Sequence, residues 1–175
     1  MKLFEKAVGT TFKTGELEHI ILAHDKENGT TKCLLKDFWK NAKFDNDTAN
    51  YTASDIRNDI NTKFLKELAA EVGEENIIEH EVDLTTDDGR KDYGTVTDKI
   101  SLLTTAQFRE FIEILDKYNP YRWWWTATAL SSKVWTDCVR CVDCHGLLCH
   151  DSCNISGGVR PFYILKSSIS VSDED

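Results

Sequence analysis

The chain has little proline and methionine, and it lacks long apolar runs. Its 175 residues include two prolines and one methionine, which excludes collagen-like and proline-rich linker architectures. No apolar run approaches the roughly 18 residues of a membrane-spanning helix, and the opening MKLFEKAVGTTFKTGE has no apolar core of signal-peptide length. We therefore expect no membrane span and no signal peptide, with synthesis in the cytoplasm followed by association with a virion or display by another route.

Positive charge is also scarce. The 21 lysines and arginines are outnumbered by 30 aspartates and glutamates, so the formal net charge is −9. This balance argues against a nucleic-acid partner, because phosphate contacts need clustered basic residues. The chain has no Walker-type loop and no GxGxxG, GxSxG or HExxH motif, and we predict that it is not an enzyme. Its length suits one domain over 1–175, with flexible ends at 1–14 and 167–175.

The residues that are present predict an α+β fold. Apolar, β-favouring runs over 15–24 and 31–39 flank Asn28-Gly29, a strong signal for a hairpin turn. Further strands are expected over 77–86, 98–103, 123–129, 134–142, 147–153 and 157–165. The tryptophans at 123–125 are expected in the core, two glycines at 157–158 in a special backbone turn, and Arg160 as a brace for the fold.

Two helices are predicted between these strands. The first begins at Ser54, whose side chain can cap it, and ends at Gly73. Its apolar stripe is formed by Ile56, Ile60, Phe64, Leu68 and Val72. The second begins at Thr104, which has capping-box spacing with Gln107, and ends near Tyr118.

Cysteine is distributed unevenly, because five of the six cysteines fall between Cys138 and Cys153. A zinc site is one interpretation, although its ligands stand unusually close together in sequence. A disulfide-linked hairpin is another, and the match of Cys141 to His145 with a haem-attachment motif is a weak third. The zinc alternative would draw on Cys138, Cys141, Cys144, His145, Cys149, His150 and Cys153.

The residue set around these cysteines is restricted. From Asp137 to Cys153 only Asp, Cys, Val, Arg, His, Gly, Leu and Ser occur. Lys, Glu, Gln, Met and Trp are missing from 137–165, although lysine and glutamate are common elsewhere in the chain. A structural core has no need of such a subset, so a fourth interpretation is a surface whose residue identities are nearly arbitrary.

The order of short motifs along the chain resembles an uncharacterised domain of phage and gut-bacterial proteins, many from Firmicutes. The resemblance covers 17–165. Its motifs are Asn50-Tyr51 followed by Ser54-x-Ile56-Arg57, then Asp98-Lys99-Ile100-x-Leu102-Leu103, Trp124-Trp125-Thr126-Ala127-Thr128, Val139-x-x-Val142-x-x-x-Gly146 and Gly158-Val159-Arg160-Pro161.

The ending resembles C-type-lectin-like variable proteins of diversity-generating retroelements. The resemblance implies a C-type-lectin-like fold, with two helices packed on small antiparallel sheets and a variable region at 134–154. In such systems template adenines are randomised, and AAC codons then never yield Lys, Glu, Gln, Met or Trp. The segment 137–153 fits this reachable set, whereas Trp135 requires an AAG codon or a fixed position.

The implied function is ligand binding by a mutagenised surface. Val139 and Val142 would point inward and Gly146 would lie in the turn, while Trp135 packs either in the core or against ligand. The partner would be a protein or glycan, such as a host-cell surface receptor, bound by a homo-oligomer without a cofactor. The ligand-facing candidates are Trp135, Asp137, Cys138, Arg140, Cys141, Asp143, His145, Leu147, Cys149, His150 and Asp151.

Overall fold

The structure, a computed structural model, describes residues 1–172. They form a mixed α+β fold made mostly of strands in several small sheets, which confirms the predicted class at that level. The strands of this part of the chain are β1 (Thr11–Thr14), β2 (Leu17–Asp25), β3 (Thr30–Leu35), β4 (Lys40–Lys43), β5 (Ile77–Ile78), β6 (His80–Asp83), β7 (Thr95–Asp98), β8 (Ile100–Ser101), β9 (Trp124–Ala129), β10 (Cys138–Val142), β11 (Leu148–Ser152), β12 (Ser156–Val159) and β13 (Phe162–Lys166).

One main helix is formed by α1 (Asp55–Asp59) and α2 (Leu65–Val72), joined through a π-helical turn over Ile60–Phe64. Ser54 caps its start, because the side-chain oxygen accepts the Arg57 N–H at 3.3 Å, and Gly73 ends it with a φ of 83°. Both predicted boundaries are therefore confirmed.

The second helical segment is shorter and broken. It comprises α3 (Thr105–Glu110) and α4 (Ile112–Lys117), which are separated at Phe111. The predicted capping box is confirmed, since Thr104 and Gln107 each accept the backbone N–H of the other. No helix of residues 1–172 has the length and apolar character needed to cross a membrane.

Two sheets carry most of the fold. The six-stranded sheet has the order β1-β2-β3-β13-β5, and β8 also pairs with β13. The five-stranded sheet has the order β11-β10-β9-β12-β4, in which only the β12–β9 pair is parallel. The strands β6 and β7 form a separate hairpin. The predicted β2–β3 hairpin is confirmed, with Gly29 at its turn in the left-handed region (φ 65°).

The predicted single strand over 157–165 is wrong, because the chain changes sheets within it. Its first part is β12 of the five-stranded sheet and its second part is β13 of the six-stranded sheet. Gly157 and Gly158 do not adopt a special turn. A Cβ atom at Gly157 would instead meet the ring of Trp123, and one at Gly158 would meet the ring of Phe38. Both glycines are therefore required for close packing.

Arg160 lies at the crossing between the sheets and is completely buried. Its Nε donates to the Leu35 carbonyl at 2.9 Å, and its Nη2 donates to the carbonyls of Lys36 and Tyr118 at 2.8 and 3.1 Å. Burial lowers the pKa of its guanidinium to about 10. The predicted brace is confirmed, because one side chain joins three separate segments.

The predicted flexible ends differ from the structure. Leu3 and Phe12 are buried, and β1 pairs with β2, so residues 1–14 are packed against the fold. At the other end Ser167 and Val171 are also buried, while 173–175 lie outside the described residues. Apolar side chains hold both ends, since Leu3 and Val171 belong to one core cluster.

The buried core covers both faces of β9. Trp125 packs in the larger cluster with the main helix, whereas Trp124 packs in a second cluster with Phe108 and Leu115. All six residues of β9 are buried, which confirms the core prediction for these two tryptophans. This strand is the support on which the neighbouring hairpin β10–β11 rests.

Candidate ligand-binding surface

The cysteine-rich segment forms the hairpin β10–β11 at one edge of the five-stranded sheet. Its predicted turn at 143–146 is confirmed, and Gly146 takes a φ of 80° there. The Asp143 carboxylate accepts the N–H groups of His145 and Leu147 at 2.8 and 3.0 Å. The hydrogen bond from the Leu147 N–H and, to a smaller extent, the one from the His145 N–H lower the pKa of the Asp143 carboxyl group. Asp143 therefore holds the turn in shape.

The inward positions of the hairpin are occupied by apolar side chains and sulfur. Val139 and Val142 are buried, as predicted. Cys141 was expected to face ligand, but it is buried too, because both faces of β10 pack against core clusters. It forms a disulfide with Cys149 directly opposite on β11, with a Cα–Cα distance of 5.1 Å. The structure therefore agrees with the interpretation of a disulfide-linked hairpin for Cys141 and Cys149.

Six predicted positions are exposed. They occupy the turn, the outer strand and the loop before β10: Trp135, Asp137, His145, Leu147, His150 and Asp151. Trp135 is 70% exposed and adopts a φ of 50°, a conformation that is rare for a bulky residue. Of the two alternatives for this residue, core packing is therefore wrong.

Arg140 is only partly exposed, and it faces the fold rather than open solvent. Its Nε lies 3.2 Å from Oδ2 of Asp87, an ion pair without hydrogen-bond alignment. Asp87 also accepts hydrogen bonds from the Thr105 hydroxyl at 2.5 Å and from Nη1 of Arg109 at 3.3 Å. The side chain at 140 therefore ties the hairpin to the loop and helix beside it, which corrects its assignment as ligand-facing.

The zinc alternative requires several of these ligands to converge. Within residues 1–172 no group of three or more His, Cys, Asp or Glu side chains is arranged to hold a metal ion. Burial, together with the Asp137 carboxylate, raises the pKa of the Cys138 thiol, and burial with Asp45 raises that of Cys153. Both thiols are less ready to form the thiolate that zinc binds. Cys144 is exposed, with its sulfur 3.5 Å from Nδ1 of His145.

Tyr121 is a candidate that sequence reasoning missed. It is 79% exposed and has a φ of 56°. Asn119 connects it to the hairpin turn, since its side chain donates to the Cys144 carbonyl at 3.1 Å and accepts the Tyr121 N–H at 3.3 Å. The sequence feature that could have identified Tyr121 is its position as an aromatic residue directly after Asn119-Pro120, where the helix ends.

The arrangement is suited to contact with another molecule. A strand buried on both faces supports an outer hairpin, and exposed aromatic rings lie beside its turn and before its first strand. Rigid aromatic side chains are frequent anchors in binding surfaces. Comparisons with protein-family models, with curated proteins and with solved structures found no match.

Proposed function

We propose that this is a ligand-binding protein that presents a hypervariable surface on hairpin β10–β11 of a C-type-lectin-like scaffold, diversified by a retroelement. One coincidence carries the proposal. The eight residue types of the restricted set fill 137–153, the first part of the stretch 137–165 that lacks Lys, Glu, Gln, Met and Trp, and the hairpin runs from 138 to 152. The first boundary comes from residue identity alone and the second from backbone pairing, so the agreement is between independent properties.

The physical requirements of such a surface support the proposal. Side chains can change freely where they neither fill the core nor carry the pairing of strands, and exposed substitutions typically alter stability by only about 0.5 kcal/mol. His145, Leu147, His150 and Asp151 are exposed, whereas Val139 and Val142 keep the hairpin anchored. The ligand would be a protein or glycan, such as a host-cell surface receptor, and no cofactor is needed.

The retroelement is tested by sequencing the surrounding locus in related strains. We expect a reverse-transcriptase gene and a near-identical copy of the segment whose mismatches fall at template adenines. The mismatches should cluster in codons 137–153, and codons of β9 serve as the internal control. A locus with neither feature, and with no variation among strains, would refute the retroelement.

The binding surface is tested with two displayed libraries. One randomises the exposed positions His145, Leu147, His150 and Asp151, and the other randomises the buried positions Val139, Cys141 and Val142. We expect most surface variants to stay folded and to yield binders to immobilised lysozyme as a test protein, while most buried variants unfold. Equal folded fractions in the two libraries would contradict the proposed surface.

A further inference from the structure

Strand β11 uses only one side of its backbone within the sheet. The Asp143 N–H donates to the Leu147 carbonyl at 2.8 Å, and the Cys153 N–H donates to the Asp137 carbonyl at 2.7 Å. In an antiparallel pair the bonded residues alternate. The odd-numbered residues of β11 therefore bond to β10, and the backbone groups of Leu148, His150 and Ser152 point away from the sheet.

This outward row ends at Ser152, because the Asp151 carboxylate accepts the Ser152 N–H at 2.8 Å. Among residues 1–172 no strand pairs with the outer side of β11. The N–H and C=O groups of Leu148 and His150 therefore form a short template for another strand. Unpaired backbone groups of this kind commonly recruit an extended segment.

Two other edge strands contain lysine, which discourages such pairing, and β11 does not. At the opposite end of the same sheet β4 contains Lys40 and Lys43, and the edge strand β1 of the six-stranded sheet contains Lys13. Lysines and prolines are the usual guards of an exposed edge. The sequence of β11, Leu-Cys-His-Asp-Ser, contains neither.

We propose that the outer edge of β11 binds an extended, positively charged segment of a partner protein as an added strand, an inference that rests on the proposed ligand-binding function. The charge follows from the surroundings. Asp137 and Asp151 are exposed along the hairpin, Arg140 is paired with Asp87, and the whole chain carries −9. A second copy of this chain would bring the same negative charge to this edge, which disfavours it as the added strand.

Backbone pairing has a specific use on a variable surface. Its hydrogen bonds do not depend on which side chains occupy 148, 150 and 152, so they persist when these residues change. The neighbouring side chains then adjust which partner is preferred. The Cys141–Cys149 disulfide holds β11 against β10 and reduces the entropy lost when the added strand pairs.

The test uses three synthetic heptapeptides and the oxidised wild-type protein. The first alternates lysine and valine, the second is the same peptide N-methylated on its central amides, and the third alternates glutamate and valine. We expect the first to bind and to slow hydrogen exchange at the amides of Leu148 and His150 about tenfold. N-methylation and the change to glutamate should each weaken binding by about tenfold or more.

Two matched variants separate backbone pairing from side-chain attraction. His150→Pro removes an outward N–H without removing a bond to β10, and His150→Ala keeps that N–H. We expect the proline variant to lose about tenfold in affinity and the alanine variant less than about threefold. Melting temperature and retention of the disulfide verify that both variants fold.

The proposal is overturned if the N-methylated peptide binds as well as its parent, if the glutamate peptide binds equally, or if no peptide binds up to about 5 mM. The three peptide comparisons use wild-type protein, so they test the strand addition even if the proline variant misfolds. They are independent of the display libraries. If the surface library yields binders but the peptides do not pair with β11, the proposed ligand-binding function is retained and only the strand addition at the edge is refuted.

Discussion

Strands β9 and β11 belong to the same sheet and are separated only by β10, yet they experience different surroundings. Every residue of β9 is buried, and its two faces meet two core clusters. No residue of β11 is fully buried, and His150 and Asp151 are exposed. The sheet therefore changes from a buried strand to a largely exposed one over a distance of about 10 Å, two strand spacings.

The comparison teaches that the same residue type has different consequences in the two regions. Tryptophan, arginine, histidine and cysteine each occur both in the buried framework and around the hairpin. Matched substitutions of one residue type therefore measure the effect of position without a change in chemistry. The following predictions use such pairs.

The largest difference is expected between Trp125→Ala and Trp135→Ala. Trp125 is completely buried, and its Nε1 donates to the Ala42 carbonyl at 3.0 Å. Its removal should lower the free energy of unfolding by about 4 kcal/mol, whereas removal of Trp135 should change it by about 0.5 kcal/mol or less. Urea denaturation measures both values. Similar losses in the two variants would show that Trp135 is part of the core.

Arginine provides the next pair, Arg160→Ala and Arg140→Ala. Loss of Arg160 leaves three carbonyl groups without their donor at the crossing between the sheets, and the free energy of unfolding should fall by about 3 kcal/mol. Loss of Arg140 removes one partly exposed ion pair, with an expected cost of about 1 kcal/mol or less. The same denaturation experiment decides, and an equal cost would mean that Arg140 is a second brace.

The cysteines of the hairpin provide a third comparison, between the disulfide-linked pair and the free thiols. The double variant Cys141→Ala, Cys149→Ala opens a loop with a sequence separation of 8, and the free energy of unfolding should fall by about 2.5 kcal/mol. The double variant Cys138→Ala, Cys144→Ala is the control and should lose less than about 1 kcal/mol. Reductant should destabilise the wild type but not the first variant. Equal responses to reductant would argue against the disulfide.

Histidine gives an effect on stability that depends on pH. His19 is buried, and burial lowers its pKa from 6.5 to about 3. Below pH 6.5 the unfolded chain binds a proton that the folded chain does not, so stability falls as pH decreases from about 6.5 to about 3. The expected contribution is about 1.4 kcal/mol per pH unit.

The control for this effect is His150, which is exposed on β11. His19→Gln should flatten the dependence of the unfolding free energy on pH between 6 and 4, which lies within the range of about 6.5 to about 3 where His19 has its effect. His150→Gln should leave that dependence as it is in the wild type. A wild-type slope in the His19 variant would assign the acid sensitivity to other groups.

Local signals in the sequence predicted much of the fold correctly. Helix caps at Ser54 and Thr104 act over three residues, and the Asn28-Gly29 turn is determined by its own backbone. The single strand expected over 157–165 was wrong because the chain changes sheets at Arg160 and Pro161, where Arg160 bonds to carbonyl groups that are distant in sequence. Such contacts leave no periodic pattern to detect.

The candidate surface was predictable to a similar extent. The apolar runs on either side of 143–146 predicted the hairpin, and the Val139-x-x-Val142 motif of the resemblance indicated its two inward valines. These signals could not identify Cys141 as buried, because that requires knowing that core residues cover both faces of β10. Tyr121 was missed because the adjacent residues specify neither its exposure nor its left-handed backbone conformation.

The direct opposition of Cys141 and Cys149 has a consequence for inheritance. On the proposed variable surface these two positions form one hereditary unit, because a cysteine at only one of them leaves an unmatched thiol on the hairpin. At the partly exposed position 149 such a thiol can cross-link two molecules of the protein, whereas at the buried position 141 it stays inside the fold. Among variants that derive from one template, cysteine should therefore occur at both 141 and 149 or at neither of them more often than chance. This correlation would reflect the pairing of the two positions in the fold.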